Sequence, residues 1–132
     1  MPARILIIED NPDSCDLLKY LLESAGYVVL EAVDGSAGVQ QALQHDPDMV
    51  LCDLQLPVLN GYEVIHALKS DARWRPVPLI AVTAFSMLGD REKALAEGFN
   101  DHISKPIEPE TIIAQLEAWL PPALWADRHR SA

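Results

Sequence analysis

Five short apolar runs rich in branched side chains alternate with five stretches of helical periodicity, and that alternation leaves few folds open. The runs are Arg4 to Ile8, Tyr27 to Glu31, Met49 to Cys52, Val77 to Val82 and Asn100 to Ile103, all of strand length. Apolar residues at helical spacing follow each run: Leu17, Leu18, Leu21, Leu22 and Ala25; Val39, Ala42 and Leu43; Val64, Ile65 and Leu68; Leu88, Ala94 and Leu95; then Ile112, Ile113, Leu116, Trp119 and Leu120. A strand, a helix and a parallel strand join by a right-handed crossover, so repeated units cover a sheet on both faces. Strands buried on both faces are continuously apolar, as these are. The pattern predicts a three-layer α/β sandwich around a parallel sheet.

Helix punctuation agrees with this division. Asn11 before Pro12 offers an N-cap and a first-turn proline, and Asn60 with Glu63 three residues on forms a capping-box pattern. Pro109 is positioned to open the last helix, while Gly26 and Gly98 stand where two helices stop, glycine being free to adopt the left-handed conformation of a helix end. Pro121 and Pro122 end the last helix, and periodicity is lost beyond them. Residues 1–120 are therefore read as one domain and 121–132 as a C-terminal tail in which Leu124 and Trp125 have apolar surface to fold back. The short flanks lead to the expectation of a stand-alone protein.

With 132 residues, 49% of them hydrophobic, the chain has the size and apolar content of one well-packed domain. No apolar run approaches the roughly 18 to 20 residues of a membrane-spanning helix, and only four apolar residues separate Arg4 from Glu9, too few for a secretory signal. A cytoplasmic location is expected. The net charge of -10 opposes binding to nucleic acid or to acidic membrane surfaces through a broad basic face. Cys15 and Cys52 match no metal-ligand or CxxC spacing and read as ordinary thiols.

In an open α/β sheet, ligands bind beyond the carboxyl ends of the strands. The first run ends in Glu9 and Asp10 and the third in Asp53, so adjacency of those strands would gather three carboxylates. Close like charges raise one another's pKa values, whereas a hard divalent cation with oxygen ligands lets all of them ionise, and magnesium fits best. The fourth run ends in Thr83 and the fifth leads into Lys105, adding a hydroxyl and an ammonium able to bind phosphoryl oxygens. Each has a plainer reading alone: Asp10 as a solvated helix-start residue, Thr83 as a β-former, Lys105 as a surface cation.

Taken together, IIEDN (7–11), VLCDLQLPVLNG (50–61), VTA (82–84) and SKP (104–106) resemble the response-regulator receiver signature across nearly the whole chain. The resemblance implies a flavodoxin-like fold of five parallel strands in the order 2-1-3-4-5 with five helices. It implies Asp53 as phosphoacceptor, Asp10 as a direct magnesium ligand, Glu9 as an acidic partner acting through water, and the Gln55 backbone carbonyl as a further ligand. Lys105 would contact the phosphoryl group through a loop whose bond to Pro106 is typically cis, and Thr83 would be the switch hydroxyl, with Ala84 leaving room for its movement.

Two positions depart from the family pattern. Glu9 stands where aspartate is commoner, and His102 stands where the second switch residue is usually Tyr or Phe; His102 fits either that role or a plain strand-end histidine. The implied activity is phosphoryl transfer to Asp53 with magnesium, self-assisted but not a turnover enzyme. The implied partners are a sensor histidine kinase or histidine phosphotransfer protein and a downstream protein target. Ser14 and Leu17 on the first helix, with Pro106 and Ile107, would flank the pocket as a docking face, although Leu17 equally fits the core stripe of Leu18, Leu21 and Leu22. The alternatives are an aspartyl-phosphate hydrolase, disfavoured by Gln55 where haloacid dehalogenase-like enzymes carry a second acid; a flavin binder, disfavoured by the missing glycine-rich phosphate loop; and a phosphorylation-independent adaptor.

Overall fold

The structure, a computed structural model, describes residues 2–71, 74, 76–84 and 89–126. Strands β1 (Arg4–Ile8), β2 (Val28–Ala32), β3 (Met49–Asp53), β4 (Leu79–Thr83) and β5 (Asp101–Ser104) form one parallel sheet in the order β2-β1-β3-β4-β5. It is connected and covered by α1 (Pro12–Ser24), α2 (Gly35–His45), α3 (Gly61–Lys69), α4 (Asp90–Glu97) and α5 (Ile112–Glu117). This is the flavodoxin-like sandwich and strand order expected from the sequence. No helix among the described residues is long and apolar enough to cross a membrane.

Successive side chains of a strand point to opposite faces, and the two cores follow that parity. Ile5, Ile7, Met49, Leu51, Ile80 and Val82 pack with Leu18, Leu22, Ile112 and Leu116, which are α1 and α5 residues. Leu6, Ile8, Val50, Cys52, Leu79 and Ala81 pack on the other face with Ala42, Val64, Ile65, Leu68 and Ala94, contributed by α2, α3 and α4. Fully burying a leucine or isoleucine contributes about 1.5–3 kcal/mol, so the doubly covered central strands hold the carboxyl ends of β1, β3 and β4 rigidly. Not every residue in the periodic stripes is interior: Leu43 and Leu95 are exposed. Leu88 lies outside the described residues.

Strand boundaries move by a residue or two for identifiable reasons. The N–H of Tyr27 closes the end of α1 on the Leu22 carbonyl, so β2 starts at Val28 rather than at Tyr27. The N–H of Val77 bonds back to Trp74 and Pro78 has no N–H to give, so β4 starts at Leu79. Asn100 exchanges two hydrogen bonds with Leu79, its N–H to the Leu79 carbonyl and its side-chain oxygen from the Leu79 N–H, and β5 begins one residue later. Asn11 and Asn60 cap α1 and α3, the second with its capping box complete, and Gly26 and Gly98 take positive φ at helix ends. Pro109 does not open the last helix; it sits in a turn whose Glu108 carbonyl accepts from Thr111 and Ile112, and α5 starts at Ile112.

Residues 121–126 remain attached to the domain. The N–H of Ala3 donates to the Leu124 carbonyl at 2.8 Å. The Trp125 indole donates to the carbonyls of Glu117 and Leu120 at 3.2 and 3.0 Å, and Ala126 is buried against Gly26. Beneath this clasp the Tyr27 hydroxyl donates to the buried Glu117 carboxylate.

Candidate functional site

Ile8 pairs with Cys52 across β1 and β3, so Glu9 and Asp10 emerge beside Asp53. The three carboxylates each place an oxygen within 4.8 Å of the others. Glu9 and Asp53 are buried and Asp10 is exposed at the mouth. The N–H of Asn11 donates to Glu9 at 3.2 Å, and the N–H of Gln55 donates to Asp53 at 2.9 Å. Lys105 enters from the end of the edge strand β5: its ammonium donates to Glu9 and, at 3.1 Å, to Asp53. The Lys105 N–H bonds the Thr83 carbonyl at 2.9 Å, and the Lys105–Pro106 peptide is cis.

Burial, reinforced by Asp53 next to it, pushes the Glu9 carboxyl up to about 7 against the pull of Lys105 and the Asn11 N–H. Burial works against the Lys105 ammonium, but its bonds to Glu9 and Asp53 outweigh that and raise its pKa. One ammonium thus faces three acids, and full ionisation calls for a further cation. Three converging carboxylate oxygens are a hard-ligand set of the kind magnesium takes, and the donors present fit that ion.

The loop from Asp53 to Asn60 shapes the opposite wall. Val58 has φ 71° while the Leu59 N–H bonds the Pro57 carbonyl at 2.9 Å, a tight turn around a β-branched residue in a disfavoured conformation. Such strain persists only where surrounding contacts impose it. Gly61 lies so close to the loop that a Cβ there would sit 2.7 Å from the Asp53 carbonyl.

Residues 5–117 match the model of the response regulator receiver domain. The chain belongs to the response regulator receiver family. This receiver domain is 39% identical over 120 residues to the polar-differentiation response regulator DivK of Brucella anthropi, covering 91% of this chain and 98% of that protein. It is similar to the crystal structure of the receiver domain of sensor histidine kinase PA1611 from Pseudomonas aeruginosa PAO1, which has a magnesium ion coordinated in its active-site cleft; the TM-score is 0.82 at 36% identity, over 90% of this chain and 98% of that one. Chemotaxis protein CheY4 of Vibrio cholerae superposes with a TM-score of 0.85 at 25% identity, over 91% of this chain and 100% of the other. The protein is a component of two-component signalling.

Within the receiver the motif residues fall on two sides of the sheet. Asp53 continues the parity of Met49 and Leu51 toward α1 and α5; Thr83 continues that of Leu79 and Ala81 toward the other core and is buried. Thr83 borders an open cavity of about 680 Å³ walled by Gln55, Asn60, Tyr62 and Lys93, among others. His102 pairs with Ala81 and so lies on the Thr83 face, its Nε2 buried without a hydrogen-bond partner among the described residues. Ser14, Leu17, Pro106 and Ile107 line a shallow, mostly apolar cleft beside Lys105. Leu17 is 37% exposed and points away from the core stripe, whereas Ile107 is buried and packs into the core. Asp101, which no motif marks, accepts hydrogen bonds from both Arg91 and Trp119; only its place at the start of the edge strand distinguishes it in the sequence.

Proposed function

We propose that this receiver takes a phosphoryl group onto Asp53 from a sensor histidine kinase or histidine phosphotransfer protein and passes the resulting change to a downstream protein. What carries the reading is the placement of Lys105 between Glu9 and Asp53 where three carboxylates converge. A carboxylate oxygen of Asp53 attacks phosphorus in line, the bond from phosphorus to the donor's leaving atom breaks, and an acyl phosphate remains. Lys105 meets the charge that develops on the phosphoryl oxygens. Asp10, Asp53 and the Gln55 carbonyl would hold magnesium directly and Glu9 through water; the ion would supply charge neutralisation that lets an anionic donor approach. The Thr83 hydroxyl follows the phosphoryl group, with His102 as second switch residue, and the exposed surface from β4 to α5 shifts between two populated states. Hydrolysis resets the domain, which promotes its own phosphorylation without acting as a turnover enzyme. A cytoplasmic location and the absence of direct nucleic-acid or membrane contact are part of this reading. Intact-mass measurement after incubation with acetyl phosphate and magnesium tests it: a single adduct on Asp53 is expected.

The raised pKa of Glu9 gives magnesium binding a pH dependence. Below about pH 7 Glu9 is protonated and offers the hydrated cation no charge, and above that value it is ionised and ready. Affinity should therefore climb about tenfold from about pH 6 to about pH 8 and then level off. Calorimetric titration should show that slope vanish in Glu9→Gln; the same slope persisting there would assign it to another group.

Donor docking is assigned to Ser14, Leu17 and Pro106, with Ile107 supporting the cleft from the core. Leu17→Asp should weaken transfer from the protein donor on the order of tenfold, the loss of one interface anchor. Labelling by acetyl phosphate, which needs no docking surface, should stay unchanged. Equal loss with both donors would show damage to the pocket instead.

A further inference from the structure

The carboxylate of Asp101 gathers donors from three elements. Its Oδ1 accepts from Arg91 in the first turn of α4 at 2.8 Å and from the N–H of His102 on its own strand at 2.8 Å. Its Oδ2 accepts from the indole of Trp119, just past α5, at 3.1 Å. Burial works against the charged form, but these bonds prevail and hold the carboxyl below its usual value. The adjacent residue is the opposite case: the buried Nε2 of His102 has no hydrogen-bond partner among the described residues, so its ring can change rotamer without breaking such a bond at that atom. The peptide between the two joins a carboxylate held by three donors to a ring whose Nε2 has no hydrogen-bond partner among the described residues, and the His102 N–H is itself one of the three. Arg91 and Trp119 are 57% and 40% exposed, and so open to a partner.

We propose that Asp101 is a positioning residue that couples α4 to α5 through the start of β5, so that rearrangement at His102 is felt together at Arg91 and Trp119 on the surface. The trigger rests on the phosphoacceptor reading of Asp53; the coupling itself does not. Arg91 and Trp119 bind opposite oxygens of one carboxylate, so loss of one donor lets that carboxylate reorient and changes the other's bond.

The three tryptophans give three indole N–H resonances, and loss of one in Trp119→Phe identifies that of Trp119. Arg91→Gln should shift the Trp119 indole in the native background and leave it unmoved in Asp101→Ala, with Asp101→Asn, which keeps an acceptor and loses the charge, intermediate. Beryllium trifluoride with magnesium, an analogue of the phosphoryl group, should move the same resonance in the native protein but not in Asp101→Ala, while acetyl-phosphate labelling of Asp53 is equal in both. A Trp119 indole indifferent to Arg91→Gln, or shifted equally in both backgrounds, would overturn the coupling. Failure of the analogue to bind would instead count against the Asp53 reading, with the Arg91 arm still deciding the coupling. Should Asp101→Ala not fold, Asp101→Asn serves as the second background, where a reduced Arg91 effect supports the proposal and an undiminished one refutes it.

Discussion

Asp53→Asn is expected to remove phosphoryl uptake from acetyl phosphate altogether within the sensitivity of intact-mass measurement, while the native chain gains one adduct. The amide is nearly isosteric with the carboxylate and keeps an oxygen to accept the Gln55 N–H, now bonded at 2.9 Å, so the loop has no reason to move. What is lost is the nucleophile and one of the two acids that Lys105 bridges. Removing a nucleophile from a preorganised site costs on the order of 10⁴-fold or more in rate, enough to take the adduct below detection. Glu9 reports on the same substitution without any donor: burial chiefly raises its pKa and Asp53 adds to the shift, so Asp53→Asn should lower it and move proton release by Glu9 to lower pH. A full adduct in Asp53→Asn would move the phosphoacceptor elsewhere. Sustained turnover of a phosphomonoester by the native chain would instead favour the hydrolase reading that Gln55 argues against.

The second large effect is on stability. Gly35→Ala is expected to destabilise the fold by about 3 kcal/mol, the upper part of the usual range for overpacking a close contact. An alanine at an exposed helix position ordinarily stabilises by up to about 1 kcal/mol relative to glycine, so the sign itself is diagnostic. At Gly35 the added Cβ would lie 2.1 Å from the Leu59 carbonyl oxygen and 2.6 Å from the Leu59 Cβ, and backbone cannot swing aside as a flexible side chain would. Leu59 belongs to the strained loop that leads from Asp53 to the cap of α3, and the Gly35 N–H reaches the Pro57 carbonyl of that loop at 3.4 Å. The start of α2 therefore buttresses the wall of the acidic pocket, and urea unfolding should show a lower midpoint at unchanged slope. Stability equal to that of the native chain would mean that the close approach of α2 to the loop is absent in solution.

Much of this molecule is legible from its sequence because the signals involved act over a few residues. Strand-length apolar runs, helical periodicity, Asn11 before Pro12, the Asn60 and Glu63 box and the glycines at helix ends each describe their own neighbourhood; the two caps and the two glycines stand where the sequence put them, and the strands do so to within two residues. That the acidic pair, Asp53, Thr83 and Lys105 share the carboxyl edge of the sheet was equally legible, since parallel strands all end on one edge.

Other features were settled only when distant segments met. Periodicity placed Leu17 on a helix face but not on which side of the core stripe; packing of α1 on the sheet left it outward. Leu43 and Leu95 share the apolar pattern and yet face solvent, because a helix stripe wider than the surface it covers leaves its margins exposed. The bond from Lys105 to Glu9 spans 96 positions of sequence and that from Tyr27 to Glu117 spans 90. Neither these, nor the Asp101 junction, nor the contact of Gly35 with Leu59, leaves a local trace. Composition and period determine which elements form and which edge of the sheet bears the chemistry; the juxtaposition of elements in three dimensions determines charge pairing, pKa values and close approach, since those depend on distances that no neighbouring residue encodes.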